Sequence, residues 1–138
     1  MTRSEFQRLS QERLEDAQAL LLAGRWSAAY YLVGYAVECA LKACIAKRTR
    51  AEDFPPDRKT VEDCYTHDIS KLVKSAGLTA VHGADMQADQ HLESNWRLFS
   101  EWSEKDRYAL FDEVKANQLI AAVTDPRHGV LQWCKRHW

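Results

Sequence analysis

The chain has few of the residues that would tie its fold to disulfides or turns, and it has no strong charge of one sign. Among its 138 residues there are four cysteines, three prolines and five glycines, and the formal net charge is −1. Cysteines this few and this scattered exclude a disulfide framework. The near-zero charge excludes a global field that would drive binding to nucleic acid or to an anionic membrane. Any surface for a polyanion is therefore expected to be a local patch.

Signals for export and for membrane insertion are also missing from the sequence. The first residues are charged and lack the apolar run of a signal peptide. The longest apolar run, Trp26 to Ile45, is interrupted by Glu38 and Lys42, which makes it a poor membrane span. We therefore expect a reduced, cytoplasmic protein without a membrane partner. Because 46% of the residues are hydrophobic, one domain over residues 1–138 can bury its own core.

The same apolar run is the stretch around which the rest of the chain is organised. It is apolar on nearly every side, which is typical of a buried central helix. Its polar residues fall on one stripe at helical spacing: Tyr31, Tyr35, Glu38 and Lys42. No strand-like alternation of polar and apolar residues occurs anywhere. The sequence therefore predicts an all-α fold, with this helix at its centre.

Capping and stop signals place other helices around the central one. Thr2 and Glu5 have the spacing of a capping box, and Gly24 is placed to end the helix that follows, so the first two helices should form a hairpin. The segment 51–65 reads as a loop, and Thr66 is expected to cap a short helix that ends at Gly77. Residues 79–90 give only weak signals and could be a loop or the start of another helix.

The C-terminal third contains two more boundary signals. Ser103 and Asp106 resemble a helix start, and a long helix is predicted around Ala116 to Val123. Pro126 leaves two alternatives, either the first residue of a separate helix capped by Asp125 or a kink in one continuous helix.

Four features in order along the chain resemble the HEPN family of helical-bundle proteins. They are the paired tyrosines with Glu38 and Leu41-Lys42-Ala43, the sequence His67-Asp68-Ile69 at a helix start, the pair Arg107-Tyr108, and the closing segment Gly129 to Trp133. The resemblance implies an up-and-down bundle of four to five helices that commonly forms a homodimer. It also implies binding of RNA or a nucleotide, a role in toxin–antitoxin or defence systems, and a nucleotidyltransferase as a partner in some members.

Many active members of that family are metal-independent ribonucleases, and this chain departs from their motif. The motif is an arginine followed, after four to six residues, by a histidine. None of the five histidines has an arginine at that distance before it. If a nuclease site exists, it must use other residues, and the candidates are Arg107, His67 and Glu38. The same resemblance makes Arg107 and Tyr108 ligand-binding candidates beside the polar stripe.

The polar stripe itself supports two interpretations. Its phenols and charged pair could hold a nucleotide or phosphodiester in a groove. Alternatively, Glu38 and Lys42 form a structural i, i+4 pair while Tyr31 and Tyr35 bury their rings at an interface. A buried Glu38 needs a partner in either case, and Arg107 is a candidate.

Three further groups of residues each have a functional and a structural interpretation. Cys64-x-x-His67 and Cys134-x-x-His137 supply a Cys2His2 ligand set of the kind that binds zinc, but their separation in the chain gives that reading no support. Asp125 with Arg127 and His128 could perform acid–base chemistry or simply surround a proline turn. Six basic residues could form a patch for RNA or lie in a solvated loop among acidic residues: Lys42, Lys47, Arg48, Arg50, Arg58 and Lys59.

The tryptophans of the C-terminal half also have two readings. Trp96, Trp102, Trp133 and Trp138 could serve a subunit interface, where aromatic residues are enriched, or fill a core of large side chains. Together these observations favour a non-enzymatic, self-associating binding or regulatory module that needs no cofactor. A ribonuclease with a non-standard site and a purely structural interaction subunit are the alternatives.

Overall fold

A computed structural model describes residues 1–49 and 57–138. These residues form eight α-helices and no β-strand, so the all-α helical bundle is confirmed. Eight helices are found where four to five were expected, because several of the later ones are short. They are α1 (Arg3–Leu22), α2 (Trp26–Arg48), α3 (Arg58–Cys64), α4 (Ile69–Ser75), α5 (Thr79–Ala88), α6 (Gln90–Phe99), α7 (Glu113–Thr124) and α8 (Val130–Lys135).

Helices α1 and α2 form the predicted hairpin. Thr2 and Glu5 complete a capping box at the start of α1, where the Glu5 N–H donates to Thr2 Oγ1 at 3.2 Å. The chain turns at Gly24, whose φ of +75° is left-handed and favours glycine. Farther along the hairpin, the buried Ser10 hydroxyl donates to the carbonyl of Ala36 at 2.7 Å, which fixes α1 against α2.

Helix α2 is the central element of the fold. It contacts α1, α4, α7 and α8, together with a 3₁₀ helix formed by Glu104–Tyr108. Most of its side chains are buried, including Val33, Val37 and Leu41, which are fully enclosed. A helix enclosed on nearly every side needs apolar residues on nearly every side, and this explains the unbroken hydrophobic character of its sequence.

Helix α2 is also the one helix of the described residues that is long and apolar enough to cross a membrane. In the bundle, 72% of its most apolar window is buried. The core helix of a soluble protein passes the same test of length and hydropathy, so this feature decides nothing about a membrane.

Tryptophans from the C-terminal half of the chain contribute to the core around α2. Trp96, Trp102 and Trp133 are buried in the core, whereas Trp138 is only partly buried. The core interpretation of these tryptophans is therefore correct for three of the four. Trp102 reaches α2 at Gly34, where a Cβ atom would lie 2.1 Å from the indole Cε2. Glycine at this position lets the ring rest directly on the helix backbone.

Two segments are more helical than the sequence indicated. Residues 58–64, expected within a loop, form α3, and the side chain of Asp57 caps it by accepting from the Thr60 N–H at 3.1 Å. Residues 79–88 form α5. The cap of α4 is Asp68 rather than Thr66, whose hydroxyl instead accepts from the Asp68 N–H at 3.2 Å. The part of the expected loop that covers 51–56 lies outside the described residues.

Two boundaries near the C-terminus also differ from expectation. Ser103 and Asp106 do form a capping box, but it starts the short 3₁₀ helix, and α7 begins later with Asp112 as its cap. Pro126 lies in a turn between α7 and α8, so it neither kinks one helix nor starts the next. The Asp125 carboxylate holds this turn by accepting from the backbone N–H groups of Arg127 at 2.9 Å and His128 at 2.7 Å.

Candidate functional site

Glu38 is the most unusual residue of the fold, because it is a carboxylate on the buried side of the central helix. Its side chain is 1% exposed. One oxygen, Oε1, accepts from two basic side chains: Lys42 Nζ at 3.0 Å and His67 Nδ1 at 2.8 Å. The predicted i, i+4 pair of Glu38 and Lys42 is therefore present. The other oxygen, Oε2, is buried and has no hydrogen-bond partner among the described residues.

His67 links Glu38 to the 3₁₀ helix. An ionised carboxylate can only accept, so Nδ1 of His67 carries the proton in the bond to Glu38. The other ring nitrogen, Nε2, lies 3.4 Å from Glu104 Oε2, and the side chain of His67 is 43% exposed. The imidazole thus stands between a buried carboxylate and a surface carboxylate.

The prediction that Arg107 is a candidate partner of Glu38 is wrong, because Lys42 and His67 are the partners. The guanidinium group lies 3.9 Å from Glu104 and 4.8 Å above the ring of Tyr108, which is itself 80% exposed. The 3₁₀ helix carries Arg107 on its outer surface, while α4 brings His67 onto α2 in its place. Two features of the sequence could have indicated the pairing of Glu38 with His67. A buried carboxylate requires a partner, and His67 directly precedes the cap of a helix that packs on α2.

The tyrosines of the stripe are half-buried and lie along α2 beside Trp102. The ring centroids of Tyr31 and Tyr35 are 6.4 Å apart, and those of Tyr31 and Trp102 are 6.0 Å apart. Burial raises the pKa of Tyr35, and the nearby Cys39 and Glu38 add to the effect. Tyr35 is therefore a neutral phenol at physiological pH and can donate or accept a hydrogen bond.

Two grooves flank the Glu38 cluster. The α1–α2 groove has a volume of about 600 Å³, and we define it by these lining residues: Met1, Thr2, Arg3, Phe6, Leu9, Tyr35, Glu38, Cys39, Lys42, Ile45, Ala46, Thr49, Cys64 and Tyr65. The His67 groove has a volume of about 550 Å³ and is lined by residues of the α4 start, α6 and the 3₁₀ helix: Thr66, His67, Asp68, Ile69, Ser70, Trp96, Ser100, Trp102, Ser103, Glu104 and Lys105.

The structure divides the sequence-based ligand candidates into two groups. Tyr35, Glu38 and Lys42 line the α1–α2 groove together. Tyr31, Arg107 and Tyr108 lie outside both grooves. The sequence did not indicate that Phe6, Leu9 and Tyr65 complete the α1–α2 groove, because those residues come from α1 and from the end of α3, far from the stripe in sequence.

The structure gives the proposed zinc ligand set no support. No group of three or more His, Cys, Asp or Glu side chains able to hold a metal occurs in residues 1–49 and 57–138. Cys134 is fully buried, and burial raises its pKa well above the usual value. His67 is engaged with Glu38, and the ring of His137 packs on Trp133 with centroids 4.7 Å apart. Three of the four proposed ligands, Cys134, His67 and His137, are therefore engaged in other contacts or buried.

The expected basic patch is partly neutralised. Lys42 pairs with Glu38, Arg58 pairs with Glu62 at 2.9 Å, and Arg48 donates to the carbonyl of Ser75 at 3.1 Å. Arg50, which was counted in the patch, lies outside the described residues. The solvated-loop interpretation is wrong for the described residues of this group, because all five lie in α2 and α3.

A second histidine–carboxylate contact joins the start of α6 to the turn at Pro126. His128 Nδ1 and Asp89 Oδ2 are 2.7 Å apart. Hydrogen bonds from His128 and Leu92 hold the pKa of Asp89 below its usual value. Backbone donors from His128 and Arg127 likewise lower the pKa of Asp125. Asp125 therefore stabilises the turn, as the structural reading of this group expected.

Comparison with known proteins gives no match to a family model, to a curated protein or to a solved structure. The arguments about function therefore depend on the residues of this chain and on their geometry.

Proposed function

We propose that this protein is a HEPN-like helical binding or regulatory module that self-associates, with RNA, a nucleotide or a partner protein as its ligand. The observation that carries the proposal is the Glu38 cluster, in which one buried carboxylate holds Lys42 and His67 beside two grooves. The HEPN resemblance also suggests a toxin–antitoxin or defence setting and a nucleotidyltransferase partner.

The energetics of Glu38 favour a binding role over a purely structural one. Removing a carboxylate from water is costly, and buried ion pairs are often no better for stability than apolar residues of similar size. The side chains around Glu38 on α2 are apolar and buried, including Val37, Ala40 and Leu41. A charged cluster in these surroundings is better explained by a ligand than by the stability of the helix.

The dimensions of the site suit a small ligand or a short segment of a larger one. Binding pockets for small molecules measure about 300–1,000 Å³. Both the α1–α2 groove and the His67 groove fall within that range. The α1–α2 groove combines an apolar lining with a few polar groups from the Glu38 cluster, which is the usual composition of such sites, whereas the His67 groove is lined mainly by polar residues.

Exposed apolar side chains support self-association. Three large hydrophobic side chains close in sequence to the start of α7 are exposed: Tyr108 (80%), Leu110 (93%) and Val114 (62%). Aromatic and aliphatic side chains that are exposed close together are typical of surfaces that contact another protein. A mass measurement in solution tests this part of the proposal, with a homodimer as the expected result.

RNA binding by matched charge variants tests the ligand site. Fluorescence anisotropy of labelled RNA oligonucleotides, in buffer containing EDTA, gives the affinity of the folded wild type, of Lys42→Gln and of Arg8→Gln. Arg8 is the control, because its side chain is 82% exposed and lies in α1 outside the grooves. We expect Lys42→Gln to weaken binding about tenfold, as loss of a charged hydrogen bond does, with little change for Arg8→Gln. If both variants weaken RNA binding equally, binding depends on the net charge of the protein and not on Lys42 in the groove.

A metal-independent ribonuclease is the second candidate, and one observation favours it. His67 contacts Glu38 and Glu104, and Glu104 lies 3.9 Å from Arg107, so the three candidate residues belong to one connected cluster. In a nuclease, His67 would move a proton and Arg107 would stabilise phosphate charge. Glu38 and Glu104 lie on the two ring nitrogens of His67 and would repel a phosphodiester placed there for cleavage, so binding remains the first choice. If the cluster is purely structural, Glu38→Gln and Arg107→Ala should change only stability or association.

A further inference from the structure

The unpaired oxygen of Glu38 is the feature of the site that its protein partners do not explain. Lys42 and His67 both approach Oε1, while Oε2 is buried without a hydrogen-bond partner in the described part of the chain. An unsatisfied buried carboxylate oxygen is costly, and a ligand that donates to it recovers that cost. Glu38 lines the α1–α2 groove and is absent from the lining of the His67 groove. Such a donor would therefore enter from the side of α1.

The charges of the α1–α2 groove define the remainder of the ligand. Among the described residues of its lining, Arg3 and Lys42 are the cations and Glu38 is the one carboxylate. Arg3 uses one N–H to bind the carbonyl of Trp138 at 2.5 Å, which leaves most of its five donors for another acceptor. A ligand that satisfies these groups needs a hydrogen-bond donor for Glu38 and an anionic group for the two cations.

The apolar part of the lining favours a flat or hydrophobic group in the same ligand. Phe6 and Leu9 contribute from α1, and Tyr35 and Tyr65 contribute aromatic rings from α2 and from the end of α3. Tyr65 is 79% exposed, so its ring is available for contact with a ligand. Aromatic side chains of this kind stack on nucleic-acid bases.

We propose that the α1–α2 groove binds a nucleoside monophosphate, or the same unit within RNA, through an amino group on its base. The amino group donates to Oε2 of Glu38, and the phosphate is held by Arg3 and Lys42. Adenine, cytosine and guanine carry such an amino group. Because Oε2 is buried in the free protein and Lys42 is bound to Oε1, side chains of the cluster must rearrange as the base enters. This inference rests on the proposed function and specifies the ligand of the same site.

The test compares two ligands that differ in one amino group. Isothermal titration calorimetry measures the affinity of the wild-type protein for AMP and for purine riboside 5′-monophosphate, which lacks the amino group. We expect AMP to bind about tenfold tighter or more, as expected for a hydrogen bond to a charged acceptor. Equal affinities would overturn the inference, and so would the absence of binding by AMP, CMP and GMP alike. This comparison needs no variant and is independent of any loss of folding.

Glu38→Gln then tests whether Glu38 is the group that reads the base. Glutamine has a single oxygen, which Lys42 and His67 would occupy, and its amide N–H groups would face the amino group of the base. The preference for AMP should therefore disappear. Glu15→Gln, which removes the charge of an exposed residue of α1 outside the groove, should keep the full preference. A preference retained in a folded Glu38→Gln variant would overturn the inference.

The same samples separate this inference from the proposed function. If RNA binds in a Lys42-dependent way but AMP and its analogue bind equally, the module binds RNA and only the assignment of the base amino group is wrong. If neither RNA nor any nucleotide binds to the folded wild type, the nucleic-acid form of the proposed function also fails.

Discussion

Replacing Gly34 with alanine tests the packing on which the site is built. An alanine Cβ at this position would lie 2.1–2.4 Å from three ring atoms of Trp102, a side chain that is 4% exposed. Real Cβ atoms do not approach other atoms so closely, and a rigid buried indole cannot move aside at low cost. Overpacking a core costs about 1–3 kcal/mol, and so close an approach falls at the upper end. Alanine recovers about 1 kcal/mol of helix propensity. The expected net loss is therefore about 2 kcal/mol.

Thermal unfolding followed by circular dichroism measures this loss. For a domain of this size, 1 kcal/mol corresponds to about 3–4 °C in Tm, so Gly34→Ala should lower Tm by roughly 7 °C. Gly83→Ala is the matched control, because Gly83 lies within α5 and nothing would lie within 4 Å of its Cβ. That variant should gain about 1 kcal/mol from helix propensity alone. If both variants shift Tm upward, the close contact between Trp102 and α2 is refuted.

Three more predictions concern stability and reactivity. Burial lowers the pKa of His82 and of His137, so the unfolded chain binds more protons at these two sites than the folded one. Their effect on the free energy of unfolding should be absent just above neutral pH and should destabilise the fold as the pH drops below about 6.5, as urea unfolding at several pH values will show. Trp133→Phe should lower the free energy of unfolding by about 2 kcal/mol, because the indole is fully buried and also donates to Asp85 at 2.8 Å. Urea unfolding measures this loss, and a variant as stable as the wild type would contradict that contact. Cys64 should be alkylated first in the native protein, as mass spectrometry of iodoacetamide-treated samples can show, because the other three cysteines are buried; equal labelling of all four would contradict the core.

Local signals in the sequence predicted the parts of the fold that depend on neighbouring residues. The capping box of Thr2 and Glu5, the left-handed turns at Gly24 and Gly77, and the pair of Glu38 with Lys42 are all found as expected. Each of these features is decided within four residues of the chain. Helix α3 was missed and α5 was left open between a loop and a helix, because neither segment has a buried side chain and so neither shows a clear apolar stripe.

The site was harder to predict because its contacts join distant parts of the chain. The sequence indicated that a buried Glu38 needs a partner, but not which basic residue provides it. His67 takes that position because α4 packs on α2, whereas Arg107 lies on the outer side of the 3₁₀ helix beside Glu104. The α1–α2 groove likewise depends on how α1 and the end of α3 meet α2. Arrangements of this kind follow from packing, which a pattern along one segment does not determine.

The fate of RNA after incubation with the protein decides between a binding module and a ribonuclease. Purified wild type and His67→Ala are incubated with RNA oligonucleotides in EDTA, and bound and cleaved fractions are measured on the same sample. Our account predicts that the wild type binds RNA and leaves it intact over hours. Cleavage by the wild type that is lost in His67→Ala would contradict the account and identify the cluster of Glu38, His67 and Arg107 as a ribonuclease site.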